Sequence, residues 1–158
     1  MVIITKIKRE LSFMFAYFVK IFNLYSCCVG FLSPLVNLII RIYIGRIFWL
    51  SGLTKLKSWE NTLWLFSYEY HVPIIPSHLA AIISTSAEIT CPILLLLGIG
   101  TRISSMALLI MTLVIQFTYD SSAEHYYWMI LLGTLITYGG DKLSLDYIIK
   151  RKYIKSTL

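Results

Sequence analysis

Long apolar runs, separated by short polar or glycine-bearing stretches, dominate the chain. Four of them approach the length needed to cross a lipid bilayer: Pro34 to Leu53, Leu79 to Leu97, Ile103 to Tyr119 and Tyr126 to Tyr138. Crossing about 30 Å of hydrocarbon takes about 20 helical residues at 1.5 Å each. The fourth run is short, so it needs interfacial anchoring or local thinning of the bilayer; Tyr126, Tyr127, Trp128 and Tyr138 stand where such anchors belong. Ser33-Pro34 predicts a helix start, because proline's missing N–H costs nothing in a first turn. Gly98 and Gly100 in LLLGIGTR allow a sharp turn between the second and third runs, and Gly139-Gly140 closes the fourth before Asp141.

Residues 11–32, LSFMFAYFVKIFNLYSCCVGFL, carry a different pattern. Ser12, Ala16, Lys20, Asn23 and Cys27 recur at steps of four and three, a narrow polar stripe on a mostly apolar helix. Only Ser33-Pro34 separates this segment from the first strong run, too little for an antiparallel hairpin. The pattern therefore predicts an interfacial helix lying along the membrane, not a fifth crossing. Lys20 and the absence of a small-residue cleavage site argue against a signal peptide. The expected fold is all-α: a polytopic membrane four-helix bundle over 34–147, an interfacial extension over 1–33 and a basic tail over 148–158.

Composition supports this class. Of 158 residues, 58% are hydrophobic and only 14% charged, against about 45–50% and about 25% in soluble domains. The net charge of +6 lies in the tails and short loops, not on one amphipathic face, which excludes a nucleic-acid partner in favour of the lipid bilayer. Four crossings put Lys6, Lys8, Arg9, Lys20, Arg102, Lys142, Lys150, Arg151, Lys152 and Lys155 on one side. Lys55 and Lys57 remain on the other with Glu60, Glu69, Asp120 and Glu124. Positive residues favour the cytoplasmic side, so both termini are expected there. Cys27, Cys28 and Cys91 form no CxxC and no metal-ligand spacing, and fit small packing residues.

Charges inside the apolar runs carry the candidate chemistry. A charge at mid-bilayer costs at least about 2.5–3.5 kcal/mol, so Arg46 and Glu88 call for partners. Measured from outer edges at Leu53 and Leu79, their depths nearly match, which predicts an Arg46–Glu88 pair between antiparallel neighbours. Such a pair either only fixes packing or lines a polar cavity that handles protons or a headgroup. Arg41 lies nearer the cytoplasmic edge, where it can snorkel. It shares a face with Gly45, Gly52 and Lys55, and small residues on a face let two backbones approach. That face predicts a seam with a charge near each end.

Arg41, Gly45, Phe48, Gly52 and Lys55 spell R-x-x-x-G-x-x-F-x-x-x-G-x-x-K. The proline-bearing loop HVPIIP, the segment AEITCPILLLLGIGTR with Glu88, Gly98, Thr101 and Arg102, and GGDKLSLD from Gly139 to Asp146 follow in order. Together these motifs resemble the DoxX family of bacterial membrane proteins over about residues 35–147. The resemblance implies a four-helix bundle in the bacterial inner membrane and an association with redox chemistry, because members are similar to a subunit of a thiosulfate:quinone oxidoreductase or partner with oxidative-stress enzymes. Arg46 departs from the pattern, which has an aliphatic residue there, and the extension before Pro34 is longer than the pattern requires. Arg41, Arg46, Lys55, Glu88 and Arg102 make up the candidate charged cluster.

His71, His78 and His125 all fall on the outer side. Two of them, His78 and His125, open helices, where histidines are more often interfacial residues than haem ligands. Glu124 and His125, beside Tyr126 and Trp128, are placed to hydrogen-bond a quinone headgroup. No nucleotide loop, nucleophile elbow or metal site occurs in the sequence, so no intrinsic cofactor and no autonomous catalysis are expected. The reading is a membrane subunit of a redox system, quinone-linked or docking an oxidoreductase partner. Alternatives are a small proton or solute transporter and a non-catalytic assembly protein. Against the transporter, no internal repeat is visible and Pro92 is the only breaker within a span.

Overall fold

The computed structural model describes the backbone of residues 2–70, 72 and 75–156, and the side chains of 14–70, 72 and 75–153. His71, Pro73 and Ile74 of the HVPIIP loop lie outside the described residues, as do the side chains of Lys6, Lys8, Arg9, Ser12 and Lys155. Each apolar run is helical. In order the helices are α1 (Val2–Lys57), α2 (Trp59–Tyr68), α3 (Ser77–Leu97), α4 (Thr101–Thr118), α5 (Ala123–Tyr138) and α6 (Leu145–Ser156), with no strand among the described residues.

The expected break at Ser33-Pro34 is absent. Helix α1 passes through Pro34 without interruption and is 56 residues long, so the extension before residue 34 is not a separate element. A proline inside a helix forfeits one backbone bond, a loss that apolar segments tolerate. Pro34 is buried where α1 first meets the other helices, whereas every residue from 14 to 33 is exposed. The stripe of Ala16, Lys20, Asn23 and Cys27 therefore meets no protein surface.

Exterior and interior reverse the pattern of a soluble protein. On α4, Thr101, Ser105 and Thr112 are buried, while Ile103 and Phe117 are 78% and 81% exposed. Residues of this size and apolarity are normally inside, and hydroxyls outside. In lipid the exterior needs no water, and small polar residues allow close helix contact. Ile44, Phe48, Cys91, Leu95, Leu108, Leu132 and Leu135 form the apolar part of the core, which makes Cys91 a packing residue. Among the described residues, three helices are long and apolar enough to cross a membrane: the Met14–Lys57 part of α1, α3 and α4. At 16 residues, α5 spans only about 24 Å.

Helix α1 packs antiparallel along α3, and α4 along both α3 and α5. A Cβ on Gly52 would meet the Ile89 side chain at 2.8 Å and Glu88 Cβ at 3.1 Å, and one on Gly45 would reach the Pro92 carbonyl at 3.6 Å. The predicted seam is thus the α1–α3 contact, with Arg41 near one end and Lys55 near the other. This register also places α3 beyond the end of α1 by about two turns, on the order of 12 Å. The segment after Lys57, read as loop from the sequence, is largely the short helix α2. It covers that overhang, with Phe66 packed on Ala80 and Ala81.

At the Arg41 end, Gly98 has φ +68° and closes α3 with bonds from Gly98 N–H to the Leu95 carbonyl and from Ile99 N–H to the Leu94 carbonyl. This pairing is the Schellman motif, which favours glycine at the left-handed position. Asp146 then caps α4 from a distance, accepting from Gly100 N–H at 2.9 Å and Thr101 N–H at 3.0 Å. A carboxylate at a helix N-terminus also complements the helix dipole.

Candidate functional site

Glu88 lies on the inward face of α3, and Lys55, in the last turn of α1, reaches it. The two form a salt bridge between Lys55 Nζ and Glu88 Oε1, with the side chains 11% and 1% exposed. The predicted partner, Arg46, is instead exposed on α1. Leu53 is not level with Leu79, because the two-turn overhang of α3 sets Lys55 level with Glu88. Lys55 also approaches Ser51 Oγ at 3.3 Å. Glu88 Oε2 is buried without a hydrogen-bond partner among the described residues, as is Thr85 Oγ1 one turn away. Pro92, four residues on, removes the helical N–H that the Glu88 carbonyl would otherwise meet.

A cavity of about 160 Å³ adjoins this pair. Its walls are the apolar side chains of Phe66, Val72, Ala80, Ile83, Ile110, Met111, Val114 and Ile115, and Lys55, Tyr70, Ser84 and Thr118 supply polar atoms. Ile83 and Ile110 are both more than half exposed, so the mouth opens between α3 and α4 toward the acyl chains. Tyr70 packs edge-on against Phe66 and Tyr119, at 4.8 and 4.5 Å between ring centres. Burial, then the nearby Tyr119, Glu88 and Glu69, push the Tyr70 hydroxyl above its ordinary range, so it remains a protonated donor at neutral pH. Apolar walls with a few convergent polar groups are the usual make-up of a small-molecule site. Its make-up here is apolar walls with a few groups able to form hydrogen bonds.

The remaining predicted residues are dispersed. Arg41 does not snorkel: it is fully buried and donates to the carbonyls of Leu95 and Leu143. Arg102 is exposed and donates to the Thr137 carbonyl at 3.1 Å. The candidate charged cluster is therefore two separate sets, one at each end of the α1–α3 seam, with Arg46 in neither. Glu124 is exposed in the first turn of α5, whereas His125 turns inward, 2.8 Å from Gln116 Oε1 and edge-on to Trp128 at 4.9 Å. These two neighbours do not converge on one headgroup position, and His78 is exposed. The sequence reading missed Tyr70, Ser84 and the buried hydroxyl face of α4. Thr101, Ser104, Ser105, Thr112 and Gln116 recur at helical spacing and were the available signal.

Gly52 sets how closely Lys55 can approach Glu88. Gly52→Leu is expected to push α1 off α3 and destabilise the protein by about 2–3 kcal/mol, the upper part of the range for overpacking. Gly30→Leu, where nothing lies within 4 Å of an added Cβ, is expected to change little. Unfolding titrations of both variants in mixed detergent check the contrast; equal losses would count against the close seam.

An apolar exterior, a hydroxyl-lined interior and several crossing-length helices define a multi-pass helical membrane protein. The chain belongs to the DoxX family, whose profile matches residues 36–121, from the start of the buried part of α1 to the turn after α4. It is similar to an uncharacterized protein of Haemophilus influenzae (strain ATCC 51907 / DSM 11121 / KW20 / Rd), 28% identical over 138 residues, which cover 78% of this chain and 89% of that relative. No solved structure matches it.

Proposed function

We propose that this protein is a membrane subunit of a redox system in the bacterial inner membrane, and that the cavity beside Lys55 takes the ring of a quinone. The observation that carries the reading is a lipid-facing apolar cavity with Lys55, partly buried, as the one cation among the described residues of its lining. Lys55 Nζ offers a proton donor to a quinone carbonyl, and the Tyr70 hydroxyl lines the same space. The side chains at the cavity supply hydrogen bonds and no electron carrier. Reduction of a quinone to its quinol consumes two electrons and two protons, so the electrons would come from an oxidoreductase partner docked on the protein.

In this reading α5 is a fourth crossing, completing a four-helix bundle with the second half of α1, α3 and α4. The aromatic residues at its ends support the short span. The N-terminal half of α1 rests in the cytoplasmic interface in this reading, which requires the helix that is continuous through Pro34 in the structure to kink there in the membrane, the usual place for a helix to do so. Reporter fusions at the two termini are expected to report the same, cytoplasmic compartment; opposite compartments would fit three crossings and overturn this arrangement.

Quinone content tests the cavity. Protein purified from bacterial membranes in mild detergent is expected to retain lipid-soluble quinone, detectable by absorbance of the solvent extract. Ile110→Trp fills the mouth without touching the ion pair and is expected to lower that content about tenfold at unchanged melting temperature. Equal content in the two proteins, or none in either, would sink the reading.

A further inference from the structure

At the end of the molecule opposite the cavity, a groove of about 540 Å³ lies between α4, the α5–α6 turn and α6. Arg102, Tyr138, Lys150, Asp141, Asp146 and Tyr147 contribute to its lining. We propose that it binds the phosphodiester headgroup of an anionic phospholipid, with Arg102 and Lys150 as the cationic contacts. This inference is independent of the quinone reading.

Both carboxylates in the wall are committed elsewhere. Asp146 spends its two oxygens on Gly100 and Thr101 at the N-terminus of α4, whose positive dipole end it offsets. Asp141 accepts from Ser33 Oγ at 2.9 Å and from Lys142 N–H at 2.6 Å. The cations are not committed. Arg102 uses only Nη2, on the Thr137 carbonyl, which leaves donors in the planar fork that suits phosphate. Lys150 has no hydrogen bond or ion pair among the described residues. Next to it on α6 stand Arg151 and Lys152, so the field around the groove is positive.

Position selects a lipid over a free anion. Ile103 and Tyr138 flank Arg102 and are 78% and 75% exposed, so the groove sits where the acyl-facing surface ends. A headgroup held there leaves its acyl chains against Ile103 and the outer face of α4. Helix α6 presents Ile148, Ile149 and Tyr153, all exposed, beside its basic residues, a composition that suits the headgroup boundary.

The test uses delipidated full-length protein in neutral detergent, titrated with phosphatidylglycerol or phosphatidylcholine and read by native mass spectrometry. A cation near an anionic lipid surface contributes about fivefold in affinity, so the protein is expected to prefer phosphatidylglycerol by about 25-fold. Lys150→Gln is expected to remove about fivefold of that preference, with no change in melting temperature because Lys150 has no partner to lose. Arg102→Gln should remove a similar factor while keeping a donor for Thr137. Lys152→Gln, outside the groove, removes only part of the surrounding field and should cost clearly less of the preference than Lys150→Gln. No preference in the parent protein, or equal losses at Lys150 and Lys152, would overturn the site. Displacement of phosphatidylglycerol by millimolar inorganic phosphate would identify a free-anion site and overturn the lipid assignment.

Discussion

Lys55→Met is expected to destabilise the protein by about 3–5 kcal/mol, the usual cost of stranding a buried charge. The cost arises because Glu88, 1% exposed, has no second cation to turn to among the described residues. Glu88→Gln is expected to cost less, about 1–2 kcal/mol, because Lys55 at 11% exposure can carry its ammonium outward along its own stem. The two losses should not add. Lys55→Met combined with Glu88→Leu removes both charges together and is expected to return to within about 1–2 kcal/mol of the parent, since apolar replacements of buried ion pairs are often neutral. Unfolding titrations in mixed detergent of the parent, Lys55→Met, Glu88→Leu and the double variant close the cycle and give the coupling. Additive losses would mean that the pair is not the unit holding α1 to α3 at that end. Restored stability together with lost quinone would separate packing from ligand binding at the same residues.

How much of this was readable beforehand follows from what each signal depends on. The α3 and α4 helices were legible because apolar length and glycine turns are local properties; Gly98 and Gly100 mark the connection where the sequence put it. The α1–α3 seam was legible because Arg41, Gly45, Gly52 and Lys55 share one face by helical spacing alone. That Glu88 needs a cation was also legible, because the cost of burying a carboxylate does not depend on the fold. Which cation it finds depends on register, and register between helices is set by what covers their ends. Helix α2, packed through Phe66 on Ala80 and Ala81, shifts α3 past α1 by two turns and exchanges Arg46 for Lys55. No local pattern encodes that shift. The break assigned to Pro34 failed for a related reason: a proline tolerates either a helix start or a helix interior, and burial against the rest of the protein decided between them. Asp146 stood out in the sequence only as the end of the GGDKLSLD motif, because the N–H groups it caps, at Gly100 and Thr101, are 46 and 45 residues away.

Arg41→Leu is expected to cost about 3 kcal/mol, comparable to loss of the ion pair at the other end but through hydrogen bonds. Arg41 is fully buried, and its guanidinium bridges the Leu95 carbonyl, at 3.3 Å in the last turn of α3, to the Leu143 carbonyl in the turn before α6. Carbonyls at a helix C-terminus carry partial negative charge, and Asp141 and Asp146 add their fields, so the cation stabilises a region that would otherwise repel itself. Losing a donor to a buried carbonyl costs about 1–3 kcal/mol, and two are exposed by this change. Arg41→Lys is expected not to rescue, because a single ammonium on a shorter reach cannot span two carbonyls as a planar fork does. Asn37, one turn earlier on α1, makes the parallel contact to the Gly139 carbonyl at 2.8 Å, so α1 ties down the ends of both α3 and α5. Gly98→Ala should couple to Arg41: its Cβ would lie 2.5 Å from Arg41 Nη1 and 2.8 Å from Ser144 Cα. The double variant is therefore expected to lose less than the sum, but to keep the Ser144 clash and the strain of a left-handed alanine. Full additivity in the unfolding titration would show that Gly98 answers only to its own backbone, and that the guanidinium is not what holds these turns together.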